Sequence, residues 1–424
     1  MHMKPIRFPR KPKPGLILVA TATVLLISIP MTPAWIAARQ IGPEVNLCAA
    51  ISALPEGDEL VLAPGAYRGP CAIRRGGQVG APLVIRAADL SRRPRIIYDG
   101  RRTNVIEVRA SYVTIRGLEF GPTQSDVDAV RIFGANDVTV EDCRFNYLGG
   151  IAVVANHASV RGLVVRRNAI RSSSTTPMYF GCHDGSTCTV TGLFVESNFI
   201  EGVSAPGPQI GYGIEVKLNS SATIRNNIVM NTKGPGIMVY GSGNLADVSL
   251  IERNVTIGSR TSSGIVVGGG PAIVRNNITV SNGEAGIALE DYKKRGLLRK
   301  IFLSSNTVYG NRAGGITVGE GRLSGVVIIN NAVEAAAGPP AYPAPQKGLR
   351  MVGNVDCSAL ACFANPGERD FSPQPASPLD RAGAFWSDAS WLPREDFFGA
   401  HRAIPPTAGA IERPLGPLTL VPEP

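Results

Sequence analysis

VRRNAI (165–170), VESNFI (195–200), IRNNIV (224–229), IERNVT (251–256), VRNNIT (274–279), LSSNTV (303–308) and IINNAV (328–333) are copies of one hexapeptide. Each carries an asparagine in its fourth place, at Asn168, Asn198, Asn227, Asn254, Asn277, Asn306 and Asn331, with spacings of 30, 29, 27, 23, 29 and 25 residues. A second motif recurs between the copies: GIAV (150–153), GIEV (213–216), GIMV (236–239), GIVV (264–267), GIAL (286–289) and GITV (315–318). Every piece is short, alternating and rich in β-branched residues, and is bounded by Gly, Asn or Ser, so each reads as a strand. A unit this small cannot bury its own apolar face and must stack on copies of itself. The pattern predicts an all-β chain, a single-stranded right-handed parallel β-helix with three faces, continuous from about residue 59 to 333. The asparagines belong at a tight bend, each able to bond the next about 4.8 Å away.

Upstream, VEDCRF (140–145) fits the same frame and puts Cys143 in the asparagine slot, and IRGLEF (115–120) puts Leu118 there. Cys143 thus reads as an inward ladder residue rather than a reactive thiol. Asn46–Leu54 is the one helix-like stretch near the start and is placed to cover the first open turn. We read residues 44–333 as the capped β-helix. Residues 334–424, which hold 15 of the 33 prolines, read as an irregular wrapping tail.

Composition agrees. Glycine (48) and proline (33) make up nearly a fifth of the 424 residues, against roughly 12 % on average, which argues against a helical bundle. The net charge of +10 is concentrated at the start, where Lys4, Arg7, Arg10, Lys11, Lys13 and Arg39 face no acid within residues 1–40. The remainder is about +4, which does not indicate a nucleic-acid surface. Residues 15–38 carry no charge and follow the basic cluster, so residues 1–40 read as an export signal or a membrane anchor. Either way the rest is expected outside the cytoplasm: periplasmic, tethered to the inner membrane facing the periplasm, or secreted. The cysteines point the same way. Cys48 with Cys71, Cys182 with Cys188, and Cys357 with Cys362 form near pairs that an oxidising compartment would close, with Cα separations below about 7 Å. Zinc is disfavoured, since no spacing is CxxC and only four histidines occur.

Alternation along the GI strands sends Ile214, Val216, Ile237 and Val239 inward, and Glu215, Lys217, Met238 and Tyr240 outward. The other outward pairs are Arg131 and Phe133, Ala152 and Val154, Tyr179 and Gly181, Val266 and Gly268, Ala288 and Glu290, and Thr317 and Gly319. Chemistry therefore concentrates between Tyr179 and Glu290. Lys217 and Tyr240 are expected on neighbouring turns, with His183 held in the Cys182–Cys188 loop and Tyr179, Glu215 and Glu290 close by. Lys233 and Arg260 lie in bends near this face, where they either hold carboxylates of a ligand or serve as turn charges. The KKRG run (293–296) reads as a solvated loop.

The runs PEGDELVLAPGAYRGPCAI, APLVIRAAD and NVIEVRASYVTIRGLEF (104–120) resemble the opening turns of right-handed β-helix proteins of the pectate-lyase-like superfamily. They are nearest to the alginate lyase, chondroitinase B and mannuronan C5-epimerase type. NPGERDFSPQPASPLDRAG (365–383) and DFFGAHRAIPPTAGAIE (396–412) are similar to the closing motif of many exported β-helix proteins. The resemblance implies lyase or C5-epimerase action on an acidic, uronate-containing polysaccharide, with Lys217 in the place of the catalytic lysine and Tyr240 and His183 as further acid–base groups. Tyr179, Glu215, Lys233, Arg260 and Glu290 are the expected substrate contacts. Tyr240 stands where that type has arginine, and of its paired calcium glutamates only Glu215 is present, so no cofactor is expected and calcium lacks a full ligand set. Cys182-His183-Asp184 reproduces only the histidine of the epimerase Asp-Pro-His motif. The acid pairs and His-Gly motif of polygalacturonases are absent. A non-catalytic β-helix that binds or guides an envelope or exopolysaccharide is the alternative from a different class; under either reading a monomer is expected.

Overall fold

In the computed structural model the described residues are 39–413, apart from 102, 186, 337 and 388, together with 416 and 418. The reading of residues 1–40 as signal or anchor falls almost wholly outside them. Within them, no helix is long and apolar enough to cross a membrane.

The chain winds through three parallel sheets, visiting each once per turn for about 13 turns. The first sheet has 13 strands, from Arg39–Ile41 to Leu349–Val352, and the second has 12, from Ala66–Arg68 to Val355–Asp356. The third has 10, from Cys71–Ile73 to Ile316–Val318, and contains most of the GI motifs. One turn shows the path: Leu193–Glu196 in the first sheet, Phe199–Val203 in the second, Ile214–Val216 in the third, then Ala222–Arg225 back in the first. All three sheets are parallel. Inward Ile, Val, Leu and Phe side chains form one continuous core, with Phe120 stacked on Phe145 at 5.0 Å. Each such side chain contributes roughly 1.5–3 kcal/mol by leaving water.

The ladder sits in the bend between the first and second sheets. Each asparagine follows a residue in the left-handed region, such as Ser197 (φ 56°) or Asn226 (φ 56°), which turns the chain sharply enough to start the next strand. Its Nδ2 then donates to the next turn's Oδ1: Asn168 to Asn198 at 3.0 Å, Asn198 to Asn227 at 2.9 Å, Asn227 to Asn254 at 2.9 Å, and so on to Asn331. The backbone N–H of each donates to the same oxygen, as from Asn198 to Asn227 at 3.0 Å. Cys143 occupies the slot above, buried, with its N–H on Asn168 Oδ1 at 3.0 Å. Burial pushes its thiol up to about 12.

The β-helix runs further than the expected 59–333 at both ends. Arg39–Ile41 pairs with the strand Glu59–Leu62 ahead of the cap. Leu349–Val352 and Val355–Asp356 extend the first two sheets because Asn354 adds one more rung, 2.9 Å from Asn331 Nδ2. The cap is a helix, Leu47–Ala53, begun by Asn46, whose side chain accepts from the Ala49 N–H at 2.9 Å. All three cysteine pairs are bridged, at Cα separations of 5.0, 5.1 and 5.8 Å. Beyond Asp356 the chain forms a small antiparallel pair, Phe363–Asn365 with Asp370–Pro373. It then lays Phe363, Phe371, Leu379 and Ala408 over Val255, Ile278 and Ala332.

Candidate functional site

The third sheet positions the site. Tyr179, Glu215, Met238, Val266 and Ala288 lie in register on its outer face, because Ile214, Val216 and their equivalents fill the interior. One residue beyond these strands a second row forms. Lys217 N–H reaches Phe180 O at 2.8 Å, Tyr240 N–H reaches Val216 O at 3.0 Å, Gly268 N–H reaches Val239 O at 2.7 Å, and Glu290 N–H reaches Val267 O at 3.0 Å. Lys217 and Tyr240 are thus neighbours on adjacent turns.

Their surroundings differ from the open face that alternation implies. Lys217 is 2 % exposed, and Glu215 and Tyr240 are each 3 % exposed. Lys217 Nζ lies 3.0 Å from Glu215 Oε1, 4.2 Å from the Tyr240 ring centre and 5.5 Å from that of Tyr179. The Tyr240 and Tyr212 hydroxyls are 2.9 Å apart, and the Tyr292 ring meets Tyr240 edge-on at 4.5 Å. A lysine on an outward strand position is normally solvated; here two bends fold over it. Residues 204–212 bring Tyr212, and residues 291–298 bring Tyr292 and Arg295.

Both covers are anchored by charge. Lys233 Nζ donates to the carbonyls of Ala205, Gly207 and Gln209 at 3.0, 2.7 and 2.7 Å, and Arg260 Nη2 to those of Val203 and Ser204 at 3.1 and 3.2 Å. In these contacts both serve as charges that hold a bend. Arg295, in the run expected to be a solvated loop, donates to the carbonyl oxygens of Tyr240 and Gly268, and Asp291 accepts from the Gly296 N–H at 2.9 Å. His183 is exposed on the Cys182–Cys188 loop and makes no hydrogen bond or ring contact with the cluster among the described residues. Glu290 is exposed at the far edge.

The electrostatics follow from burial. It pushes the Glu215 carboxyl up, opposed by Lys217. It also lifts the Tyr240 phenol far above its ordinary value, with Glu215 adding to the effect, and takes Tyr212 up to about 12. Tyr179 is raised by burial and then by Glu215. At neutral pH all three phenols therefore keep their protons. Glu290 is raised by partial desolvation and by Glu284.

Calcium fails on the donor set. The ion takes six to eight oxygens. Glu215 is flanked in register by Tyr179 and Met238 and gives one oxygen to Lys217.

Three turns toward the N-terminus the same face is less covered. Arg109 lies over the Phe133 ring at 4.1 Å, His157 meets Phe133 edge-on at 4.9 Å, and Arg131 bonds Asp128 and Asn156 at 2.9 and 3.0 Å. Alternation marks Arg131 and Phe133 as outward, and Arg109 follows IEV (106–108) as Lys217 follows IEV (214–216), whereas His157 carries no repeat signal. The turn between them is placed differently from the GIAV reading. Its strand is Val153–Ala155, with Val153 opposite Val130 and Met178, so Val154 and Asn156 correspond to Glu215 and Lys217, not Ala152 and Val154. Ile151 is used in the bend, its N–H bonded to Asp128 at 2.8 Å.

Among curated proteins none matches the chain. Solved structures do, at low identity. The pectate lyase Pel9A is 16 % identical over 89 % of this chain and 98 % of its own, with a TM-score of 0.50. The A-module of the Azotobacter vinelandii mannuronan C-5 epimerase AlgE4 is 14 % identical over 72 % and 86 %, also at 0.50. XylC in complex with xylose is 10 % identical over 87 % and 96 %, at 0.59. These likenesses concern the fold. The sequence profile of the right-handed β-helix region matches residues 124–298 and 181–357, over half of the chain. With its three parallel sheets and its asparagine ladder, the chain belongs to the right-handed β-helix family.

Proposed function

We propose that this is an exported protein that acts on an acidic, uronate-containing polysaccharide along the outer face of its third sheet, by lyase or C5-epimerase chemistry. Residues 1–40 serve as its signal or anchor in this reading, and three disulfides support an oxidising compartment. The observation that carries the proposal is the Glu215–Lys217 pair in contact with the Tyr240–Tyr212 hydroxyl pair on one face of a β-helix. The names of the similar structures, a pectate lyase and a mannuronan epimerase, support the substrate class.

The parts suit proton transfer beside a carboxylate. Burial disfavours the Glu215 carboxylate, and Lys217 opposes this. In this reading the Lys217 amine takes the C5 proton, and as an ammonium it then faces the developing enolate charge. Tyr240, still protonated, returns a proton. In a lyase it goes to the leaving C4 oxygen as the C4–O bond breaks and the C4–C5 double bond forms. In an epimerase it goes to the opposite face of C5. For either, the 204–212 cover must swing aside.

A specific observation favours the alternative of a non-catalytic polysaccharide binder: the cluster is closed and its polar groups are mutually paired. Incubation with polygalacturonate, alginate and chondroitin separates the two. New ultraviolet absorbance marks the unsaturated lyase product, and a changed C5 signal in NMR marks epimerisation. Tyr240→Phe is expected to cut turnover ~100-fold or more with binding largely kept. Full activity in both Tyr240→Phe and Lys217→Ala would remove this site, and binding without product on every polymer would leave the binder.

A further inference from the structure

We propose that the outer face of the second sheet carries a separate site for an anionic polysaccharide, a cleft in which Arg93, Arg144 and Arg171 converge. Its assignment to a uronate chain rests on the function proposed above; its anion-binding character rests on the cleft itself.

The cleft holds about 740 Å³, within the range of sites that take small molecules and chain segments. Phe145, Ile170 and Ile200 point into the core, so Arg144, Ala169 and Phe199 form one outward row and Asn146, Arg171 and Glu201 the next. Arg93 enters from the bend before the strand Arg95–Ile97. The C-terminal tail covers the later part of this sheet, over Val255, Ile278 and Ala332, while the turns around Arg144 and Arg171 stay open.

The charges in the cleft are not balanced from within. Asp142 is taken by Arg167 at 2.8 Å and Arg116 at 3.1 Å, and Glu141 by Arg166 and Arg167 at 2.7 and 2.8 Å. Glu119 and Glu201 stand beside Arg144 and Arg171 in sheet register, yet neither forms an ion pair with them among the described residues. Arg171 lies over the Phe199 ring at 5.2 Å, and the Arg144 side chain makes no hydrogen bond or ion pair among the described residues. Arg93 is the most telling: its Nε and Nη1 are buried and have no hydrogen-bond partner. Burial and the nearby Arg144 charge pull it below its ordinary value, against the opposing charges of Asp142 and Glu119. Buried N–H groups are almost always paired, and a guanidinium fork matches the two oxygens of a carboxylate.

A saccharide fits better than a nucleic acid. Single-stranded nucleic acid needs stacking platforms, and the aromatic residue lining the cleft, Phe199, is only 5 % exposed. A chain engaged both here and on the third sheet would be held by two contacts, which raises its effective concentration at the second without any new bond there.

The test uses the full chain. Binding of polygalacturonate and alginate is measured by calorimetry, with neutral dextran, polyphosphate and single-stranded DNA as comparisons. Arg144 and Arg171 are exposed, so Arg144→Glu/Arg171→Glu should leave the fold unchanged by circular dichroism. The double variant is expected to bind uronate polymers at least ~10-fold more weakly, and Arg93→Gln to weaken them in the same direction. Unchanged affinity in the folded double variant overturns the site, as does tighter binding of polyphosphate or DNA than of uronates, or no uronate binding at all. Uronate binding that depends on Arg144 and Arg171 without any product formation supports the cleft and counts against the catalytic reading alone.

Discussion

Replacing Lys217 by methionine removes one ammonium and keeps most of the side-chain volume. Glu215 then loses the cation 3.0 Å away, at a place where water barely reaches. Breaking a buried pair from one side costs about 3–5 kcal/mol, because the remaining charge is stranded. Burial already holds Glu215 above its ordinary value, and Lys217 is the main influence opposing this. Without it the folded state keeps a proton that the unfolded chain releases above about pH 4.3. Stability of the variant therefore falls as pH rises from there through the raised folded value, and levels off beyond it. The gap to the parent protein should be smallest near pH 4–5 and reach about 3–5 kcal/mol at neutral pH. Lys217→Met/Glu215→Met, which strands nothing, should recover at least half of the loss at neutral pH, since an apolar pair of similar volume is often neutral in such a place. Guanidinium unfolding followed by circular dichroism at both pH values measures all of this. A single variant within about 1 kcal/mol of the parent at neutral pH, or a double variant no better than the single, would refute the reasoning.

Three further outcomes are expected. Cys143 should resist thiol reagents in the folded protein and react only on unfolding, since its thiol is buried and pushed up to about 12; rapid labelling of the native state counts against its place in the ladder. Asn254→Ala should cost about 2–4 kcal/mol, because it removes the acceptor of two Asn227 donors, its backbone N–H and its Nδ2, and takes a donor from the Ile224 carbonyl; a loss no larger than that of an exposed alanine substitution would show that the rung is dispensable. Lys233→Ala should speed amide exchange in residues 204–213 by about tenfold while the first sheet stays protected, and equal exchange in both proteins would mean that the three carbonyl bonds do not hold that cover.

The solenoid was legible because its two motifs are local: an asparagine after a left-handed residue, and a GI strand with strict alternation. Alternation also sufficed to put Lys217 beside Tyr240. It says nothing about what lies above them. Tyr212, Tyr292 and Arg295 arrive from bends that have no period, and no local pattern tells a lysine under a cover from one in water. For the same reason Lys233 and Arg260 could be placed near the face but not assigned to the carbonyls they hold. Asn354 escaped the repeat because Gly353 precedes it within a proline-rich stretch, although VGNVD (352–356) preserves the rung. Arg93 gave no sign at all, since its meaning depends on Arg144, which lies 51 positions later in the chain.

The ladder bend also divides the molecule into a conserved gauge and two adjustable ones. From Arg166 to Ala169, from Glu196 to Phe199, from Arg225 to Ile228 and from Arg275 to Ile278, the chain crosses from first to second sheet in the same two-residue step. The crossing from second to third sheet instead ranges from residues 69–70 to residues 204–213. The uneven repeat lengths therefore arise at the other two corners. Material can be inserted or deleted there without moving any rung, so a new cover or a new groove wall can be gained in one step while the winding of every other turn is left as it was.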